Sequence, residues 1–270
     1  MKAKDLVRKS GIRPDRTRDQ HFLVDDDLLD RIVGYADSVS NPDDHCLEIG
    51  GGAGVLTSRL AERYEKVTAV ELDSDFADFL RHEFASVEAE VEVIEGDVLE
   101  VDLPEFDVCV SNLPYSASSP ILFRLLPLGK PLVVTVQREF AERVVAQAGD
   151  DDYSRLSVTA RHYAQPVIEE IVAPSSFDPQ PGVESAVLRL EPRDPDYNLE
   201  VDDDVFLDFL RGVFTQRRKT VRNCIRNTTH ITGIEDPEEA VSRLSDDTLR
   251  KRPGKITPEE YAEIVNTVYS

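Results

Sequence analysis

"HCLEIGGGAGVLT", residues 45–57, joins an apolar strand-like run to a helical segment through a turn rich in glycine. Gly50, Gly52 and Gly54 follow a G-x-G-x-G spacing, and glycine tolerates a positive φ and the close approach of a ligand to the backbone. The exposed N–H groups at the start of the following helix favour polar or anionic ligand groups. A tight strand–helix turn without a ligand has the same pattern, so the turn alone is weak evidence for a binding site.

The segments on both sides of this turn alternate between strand and helix. This alternation predicts an α/β fold with a parallel, doubly wound sheet. The predicted strands are 45–50, 66–72, 90–96, 106–112 and 131–137, and the predicted helices are 25–39, 54–64, 73–84, 119–126 and 138–147. Two further strand-like runs, 166–173 and 185–192, have no obvious helix between them and are expected to close the sheet as an antiparallel edge.

Two acidic residues follow the predicted strands after the Gly-rich turn. Glu71 ends the second strand, about 20 residues after Gly50, where a carboxylate can accept hydrogen bonds from both ribose hydroxyls. Asp97 follows the third strand. Because the carboxyl ends of parallel strands form the ligand-binding edge of such a sheet, these residues predict a nucleoside site. The G-x-x-x-x-G-K-[ST] motif is missing, so we expect no ATP or GTP hydrolysis.

The fourth strand opens onto "SNLPYSASSP", residues 111–120, at the same edge. The Asn112 oxygen and a neighbouring backbone carbonyl can accept both N–H groups of an adenine amine, which favours a pyramidal nitrogen with a free lone pair. Pro114 stiffens the loop, and Tyr115 offers a ring on which an extruded base can stack. The alternative is an ordinary turn followed by a core tyrosine.

A polar segment, residues 191–204, separates this pattern from a helical C-terminal region. We therefore predict one domain over residues 1–195, with a basic N-terminal arm at 1–18, and a small all-α domain over 196–270. The helical domain twice shows proline followed by two glutamates, a signal for the start of a helix.

The charge distribution predicts a nucleic-acid partner despite a net charge of −22. Residues 1–18 hold seven Lys or Arg against two Asp, and residues 211–226 hold six Lys or Arg and no acid. Solvated helix faces are the alternative interpretation of each basic segment. The acidic remainder indicates adaptation to concentrated salt, where the Debye length falls to about 3 Å at 1 M and short-range contacts decide binding.

Several classes of protein are disfavoured by composition. No apolar run approaches the roughly 20 residues of a membrane span, and the N-terminus lacks the apolar region of a secretory signal. The three cysteines form no C-x-x-C pair and the five histidines are scattered, so we expect neither a disulfide framework nor a metal site. A cytoplasmic protein is expected.

Seven motifs together resemble the small-subunit ribosomal RNA adenine dimethyltransferases, the KsgA-type family. They are "DQHFLVD" (19–25), "EIGGGAGVLT" (48–57), "VELD" (70–73), "GDVL" (96–99), "NLPYSASSPILF" (112–123), "SFDPQPGVESAVLRL" (176–190) and "FTQRRKTVRN" (214–223). The resemblance covers nearly the whole chain. It implies a Rossmann-like class I methyltransferase that uses S-adenosylmethionine to dimethylate N6 of two adjacent adenosines in a hairpin near the 3′ end of small-subunit rRNA. A monomer that acts on a pre-30S-like particle during ribosome biogenesis is expected.

The resemblance also implies roles for individual residues. Gln20, His21, Leu23, Gly50 and Gly52 would contact the cofactor, with Glu71 at its ribose and Asp97 at its adenine. Asn112 would touch both cofactor and target amine, Leu113 and Pro114 would offer carbonyls, and Tyr115 and Phe177 would enclose the target base. The basic run 216–226 would reach rRNA phosphates, and the residues implied in this contact are Arg217, Arg218, Lys219 and Arg222. No metal is implied.

One motif departs from the family pattern. The family usually has G-Q-N-F-L where this chain has "DQHFL", so Asp19 and His21 replace glycine and asparagine. Three alternatives stay open at this point: a large-subunit rRNA adenine methyltransferase of the macrolide-resistance type, an assembly factor that chiefly binds immature subunits, and a protein glutamine methyltransferase. The usual Asn-Pro-Pro-Tyr of the last class is absent, and that class leaves the basic segments unexplained.

Overall fold

The computed structural model describes residues 2–15 and 19–270. The chain folds as two units. The first unit ends at Ala141 and resumes over Gln165–Pro192, and the second consists of Glu142–Ala164 and Arg193–Ser270. The second unit therefore includes residues 142–164, which lie in the domain 1–195 expected from the sequence. They group with the C-terminal helices because Tyr153 and Val158 are buried in the core of the second unit.

The first unit contains a seven-stranded sheet. Its order is β4-β3-β2-β5-β6-β9-β7, and β1 and β8 pair separately. The strands are β1 (Phe22–Leu23), β2 (His45–Ile49), β3 (Lys66–Glu71), β4 (Glu90–Glu95), β5 (Val108–Asn112), β6 (Leu132–Gln137), β7 (Ala164–Val172), β8 (Phe177–Asp178) and β9 (Ser185–Pro192). The five strands predicted before residue 138 are all present, with boundaries that differ by two residues or fewer from the prediction.

The register explains why ligands should bind at one edge of this sheet. β2 is parallel to β3 on one side and to β5 on the other, so the chain order reverses at β2. Such a reversal opens a crevice at the carboxyl ends of the two central strands. β9 runs antiparallel to β6, as the sequence predicted, and β7 lies beyond it at the edge of the sheet.

Helices cover the sheet of the first unit. Continuous apolar runs such as "LVVTV" in β6 are buried because both faces of a parallel sheet are covered. The helices are α1 (Ala3–Ser10), α2 (Asp26–Ala36), α3 (Val55–Arg63), α4 (Ser74–Glu83), α5 (Ser118–Leu125) and α6 (Arg138–Val145). The boundary between the two units falls within α6.

The basic N-terminal segment is in part a packed helix. Leu6 of α1 is buried in the core of the first unit, and the Ala3 N–H donates to the Asp26 carboxylate at 3.0 Å. The Lys9 ammonium lies 2.6 Å from the Glu83 carboxylate. Arg16 and Arg18 of the predicted basic arm lie outside the described residues.

The second unit is all-α, as expected for the C-terminal region. Its helices are α7 (Arg155–Tyr163), α8 (Asp203–Thr215), α9 (Val221–Asn227), α10 (Thr229–Thr232), α11 (Pro237–Arg243), α12 (Asp246–Arg250) and α13 (Pro258–Tyr269). The proline-initiated helices predicted from "DPEEA" and "TPEEY" are α11 and α13. Across the two described ranges of the chain, no helix is long and apolar enough to cross a membrane.

Candidate active site

A cavity of about 660 Å³ lies at the carboxyl ends of the central strands. Its volume is in the range of small-molecule and cofactor sites. It is lined by residues 19–22, 49–50, 70–73 and 96–99, together with Phe76, Asn112, Pro114, Ser116, Ala117 and Ile121. The loops predicted to meet at this edge therefore do so.

The Gly-rich turn contributes backbone to the cavity. Gly50 has φ +77°, and a β-carbon there would lie 3.8 Å from the Asn112 carbonyl oxygen, so the ends of β2 and β5 are adjacent. Gly52 has φ +51°, and a β-carbon there would lie 2.6 Å from the Phe22 ring. Gly50 lines the cavity, whereas the space at Gly52 is occupied by Phe22.

Glu71 is almost fully buried, and its carboxylate is held from both sides. The Gly52 N–H donates to Oε2 and the Asp73 N–H donates to Oε1, each at 2.8 Å. Burial raises the pKa of Glu71, and the two backbone donors act against that rise. Each oxygen of an ionised carboxylate has a second lone pair, so Glu71 can still accept hydrogen bonds from two vicinal hydroxyls.

Asp97 lies in a loop that is braced from α5. The Leu99 N–H donates to Asp97 Oδ1 at 2.8 Å, and Asp97 is one of the residues that line the cavity. The Arg124 guanidinium donates to the Val98 carbonyl oxygen and, at 2.6 Å, to the Val101 carbonyl oxygen. Arg124 could not be singled out from the sequence, because its partners are backbone atoms more than 20 positions away.

Apolar side chains stand beside both acids. Leu72 is 69% exposed and Leu99 is 37% exposed, which is unusual for leucine, and both line the cavity. A planar purine can lie against such side chains while Asp97 accepts from its amine. Neither leucine was predicted to line the cavity, although each closely follows one of the two acids in the sequence, in "EL" and "DVL".

The N-terminal loop closes one side of the cavity. Gln20 and His21 line it, and the His21 Nδ1 lies 2.7 Å from the Pro179 carbonyl oxygen. Leu23 pairs with Phe177 in the β1–β8 ribbon and is buried, so it does not line the cavity. The departures from the family motif thus fall on residues that form the cavity wall.

The side-chain amide of Asn112 makes a hydrogen bond through its nitrogen but none through its oxygen. Its Nδ2 donates to the His21 carbonyl oxygen at 3.0 Å, which fixes the orientation of the amide. Its Oδ1 is buried and accepts no hydrogen bond from the described residues. A buried acceptor without a donor is costly, so this oxygen is suited to a ligand N–H group.

The two predicted backbone acceptors beside Asn112 differ. The Pro114 carbonyl oxygen already accepts from the Ala117 N–H at 3.1 Å and from the Ser118 hydroxyl at 3.0 Å, which uses both lone pairs. The Leu113 carbonyl oxygen receives no hydrogen bond from the part of the chain that the structure describes. The Leu113 carbonyl therefore has no partner among the described residues, but Leu113 is buried and does not line the cavity, and the Pro114 carbonyl is fully used.

The two aromatic residues expected to enclose a base are placed differently. The Tyr115 hydroxyl lies 2.5 Å from the Ser185 hydroxyl, and its ring is stacked on His21 with centroids 5.8 Å apart and planes at 22°. Burial raises the pKa of Tyr115. Phe177 is 2% exposed and packs in the hydrophobic core of the first unit. In this structure Tyr115 is half-buried next to residues that line the cavity, and Phe177 is buried.

A second buried acid lies under the Gly-rich turn. Glu48 is 1% exposed, and its Oε2 accepts from the Thr57 hydroxyl at 2.6 Å. Burial is the largest cause that raises the pKa of Glu48 to about 8, with a smaller contribution from the charge of Glu71. The carboxyl is thus neutral near pH 7 and ties the end of β2 to the first turn of α3. The sequence signal was an acid inside the apolar run "HCLEIG".

The cavity fits S-adenosylmethionine. It provides a buried carboxylate for ribose hydroxyls at Glu71, an acceptor for an adenine amine at Asp97, and exposed apolar side chains between them. Gly50 leaves backbone open to the cavity. In the sheet, Asp97 follows β4 and Asn112 ends β5, with β3 and β2 between them, and the Asn112 amide contacts the N-terminal loop at His21. Among the residues in the described ranges, no cluster of potential metal ligands is present.

The basic segment lies on the second unit, and its charges are unequally neutralised. Arg211, Arg222 and Arg226 are paired with Asp208, Asp246 and Glu238 at 3.0, 2.9 and 2.5 Å, respectively. The turn between α8 and α9 holds the rest. Arg217 donates to the Asp151 carbonyl oxygen, and Arg218 and Lys219 are exposed with no acidic partner in the described ranges.

A second basic segment, "RKRPGK" (250–255), packs beside this turn. It was not singled out as a binding segment from the sequence. The Val221 N–H donates to the Lys251 carbonyl oxygen at 2.9 Å, and Gly254 lies next to the Arg217 guanidinium. Lys255 donates to the Gly149 carbonyl oxygen at 2.9 Å, and Arg217 donates to the carbonyl oxygen of Asp151 in the same loop. The two segments form one basic surface, defined here as residues 217–219 and 250–255.

Comparison with known proteins identifies relatives along the full chain. The family model described as ribosomal RNA adenine dimethylase matches residues 15–267. A "Probable ribosomal RNA small subunit methyltransferase A" from Haloarcula marismortui is 53% identical over 266 residues, which cover 98% of this chain and 93% of the relative. The protein of the same name from Methanosarcina acetivorans is 47% identical over 254 residues, which cover 94% and 93%.

Solved structures agree with this result. A dimethyladenosine transferase from Plasmodium falciparum is 28% identical with a TM-score of 0.74, over 89% of this chain and 94% of that one. The 23S rRNA methyltransferase ErmE is 24% identical with a TM-score of 0.64, over 92% and 100% of the two chains. The second likeness shows a shared fold alone.

Proposed function

The chain belongs to the ribosomal RNA adenine dimethylase family, and from that premise we propose that it dimethylates N6 of two adjacent adenosines in the 3′-terminal hairpin of small-subunit ribosomal RNA. It is an S-adenosylmethionine-dependent rRNA adenine methyltransferase with a class I fold. The choice of the small subunit is supported by the names of its relatives, and the choice of hairpin rests on the family resemblance.

The observation that carries this proposal is the buried Asn112 Oδ1 without a donor. It lies on the same loop as the Leu113 carbonyl, and two acceptors on one loop match the two N–H groups of an exocyclic amine. A hydroxyl or thiol nucleophile has one donor and would leave one acceptor unsatisfied. The site is therefore suited to an amine such as adenine N6.

The residues of the chain supply positioning and polarisation. The two acceptors draw the amine hydrogens to one side, so the nitrogen becomes pyramidal and its lone pair is no longer delocalised into the ring. When bound, S-adenosylmethionine supplies an electrophilic methyl group on a sulfonium sulfur. The Asn112 amide cannot rotate without breaking its hydrogen bond to His21, so the acceptor is fixed before the substrate arrives. Such preorganisation is a main source of catalysis in sites without a covalent nucleophile.

We assign the remaining site residues as follows. Glu71 holds the ribose, Asp97 the adenine amine, and Gln20, His21 and Gly50 the rest of the cofactor. Tyr115 stacks on the target base. Phe177 joins it only if β8 moves, because its ring is buried.

The second unit is proposed to bind rRNA through the basic surface. Arg218 and Lys219 can bind phosphate without first breaking an ion pair. Arg222 must break its ion pair with Asp246 before it can do so. The partner is proposed to be a pre-30S-like particle. All proposed site residues come from one chain, so a monomer is sufficient, and a ribosomal substrate supports action in the cytoplasm.

The test is methyl transfer from labelled S-adenosylmethionine to undermethylated small subunits, followed by mapping of the labelled nucleotides. We expect label on two adjacent adenosines near the 3′ end of the small-subunit rRNA. Large subunits, incubated in parallel, are the matched control. Label on large subunits alone would favour the macrolide-resistance type of activity, and tight binding without label would favour an assembly factor.

A further inference from the structure

Asp19 adopts a backbone conformation that its side chain makes unfavourable. Its φ is +55°, and it is the non-glycine residue with a positive φ in the described part of the chain. Asp tolerates this left-handed region better than most residues, but glycine adopts it without penalty. The family motif has glycine here, so aspartate at this position needs a compensating contact.

The compensating contact crosses the active site. Asp19 Oδ2 accepts from the Ser116 N–H at 2.8 Å, across 97 positions of sequence. Ser116 lies in the short helical turn Tyr115–Ala117, which leads directly into α5. A carboxylate at the start of a helical segment accepts from a backbone N–H that has no partner within the helix.

The hydrogen bond holds one end of the target loop, residues 112–116. The other end is held by the bond from Asn112 Nδ2 to the His21 carbonyl oxygen. Residues 19–21 therefore hold the loop at both ends, and the unsatisfied Asn112 oxygen belongs to the amide that makes one of the two contacts. The distance from Asn112 to any bound amine depends on both.

We infer that Asp19 is a positioning residue, whose carboxylate fixes the target loop so that Asn112 and Tyr115 meet the adenine in a productive geometry. The inference rests on the proposed function. It assigns Asp19 no contact with the reacting atoms. Since the contact is a short charged hydrogen bond, it is expected to persist at high salt, where long-range electrostatics are screened.

The test compares Asp19→Gly with Asp19→Asn. Glycine relieves the left-handed conformation but removes the acceptor, whereas asparagine tolerates the conformation and keeps an acceptor oxygen. Asp19→Gly should lower kcat about tenfold to a hundredfold, with a Kd for S-adenosylhomocysteine within about threefold of wild type. Its Tm should fall by no more than about 4 °C, because relief of the left-handed conformation opposes the loss of the hydrogen bond, so the loss of kcat is not explained by unfolding. Asp19→Asn should stay within about threefold of wild-type kcat.

Hydrogen exchange provides a readout that is independent of activity. The Ser116 amide should lose protection in Asp19→Gly and keep it in Asp19→Asn. Asp43→Gly is the matched control, because it removes the same charge from an exposed turn. Unchanged protection or unchanged kcat in Asp19→Gly, or equal losses in all three variants, would overturn the inference. If wild-type protein failed to methylate small subunits, the proposed function would fail, while the exchange data would still report on the contact.

Discussion

Replacement of Asn112 by alanine tests the central claim about the site. The change removes two things: the buried Oδ1 acceptor, which has no donor among the described residues, and the Nδ2 donor to the His21 carbonyl oxygen. The first should affect methyl transfer and the second should affect stability. The two effects can be measured separately.

The magnitudes follow from the contacts. Loss of a preorganised group that acts on the transition state costs about 10²–10³ in rate, or about 3–4 kcal/mol. Loss of one neutral hydrogen bond costs about 1 kcal/mol of unfolding free energy, which lowers the Tm of a protein of this size by about 2–4 °C. Glu71, Asp97 and Gly50 are untouched, so the Kd for the cofactor should rise less than about tenfold.

The assay is single-turnover transfer of labelled methyl groups to undermethylated small subunits at molar salt. Calorimetric titration with S-adenosylhomocysteine measures cofactor affinity on the same samples. Asn266→Ala is the matched control, because its amide also bonds to backbone groups, at 2.8 and 2.9 Å, but lies in α13. It should lose stability and keep transfer.

A transfer rate for Asn112→Ala within about threefold of wild type would show that the amide oxygen does not hold the amine. A tenfold or greater loss of cofactor affinity without a separate loss of transfer would assign Asn112 to cofactor binding alone. Either result would refute the role given to this residue.

Cofactor affinity, pH dependence and subunit binding provide three further tests. Glu71→Gln should raise the Kd for S-adenosylhomocysteine about tenfold to a hundredfold, because charged hydrogen bonds contribute about 1.5–3 kcal/mol each and an amide offers one oxygen in place of two; calorimetric titration measures this. Glu48 stays protonated in the folded state up to a pKa of about 8 but ionises near 4.5 when unfolded, so folding retains a proton in this window. Wild type should therefore lose up to about 1.4 kcal/mol of unfolding free energy per pH unit, relative to Glu48→Gln, between pH 5 and 8, as measured by urea denaturation. Arg218→Gln with Lys219→Gln should weaken subunit binding and reduce the slope of log affinity against log salt by about 1–2, as measured by binding titrations at several salt concentrations.

Each of these tests has a control in the chain. Glu88→Gln makes the same chemical change as Glu71→Gln at an exposed position and should leave cofactor affinity unchanged. Parallel pH curves for wild type and Glu48→Gln would contradict the buried neutral carboxyl. Arg211→Gln with Arg226→Gln removes the same charge from two ion-paired residues. An equal loss of subunit binding in this pair would show that pairing does not matter.

The sequence predicted the sheet and the edge at which the cavity lies, for a physical reason. Glu71, Asp97 and Asn112 each end or follow a parallel strand, and the carboxyl ends of parallel strands meet wherever the strand order reverses. Hydrophobic periodicity and turn residues are local patterns, so strands, helices and turns can be predicted from a single sequence. This is why three residues far apart in the chain were assigned to one cavity.

The features that were not predicted depend on non-local contacts. Phe177 is buried where its strand pairs with the strand that contains Leu23. The Pro114 carbonyl oxygen is not available to a ligand, because it accepts hydrogen bonds within a local turn that the sequence does not reveal. The pairing of Arg222 with Asp246 joins two helices. α1 and α7 were not assigned either: the first was grouped with a charged arm, and no element was expected over residues 148–165.

The β1–β8 ribbon has a consequence for the order in which ligands bind. It joins Phe22, whose ring lies on the Gly-rich turn, to Asp178, and Leu23 to Phe177. The same few peptide units thus connect the Gly-rich turn to the segment that the family resemblance places at the target base. If a bound cofactor changes the affinity for the target base by some factor, thermodynamic linkage requires that a bound base change the affinity for the cofactor by the same factor. This four-residue ribbon would therefore couple the binding of the cofactor to the binding of the target base.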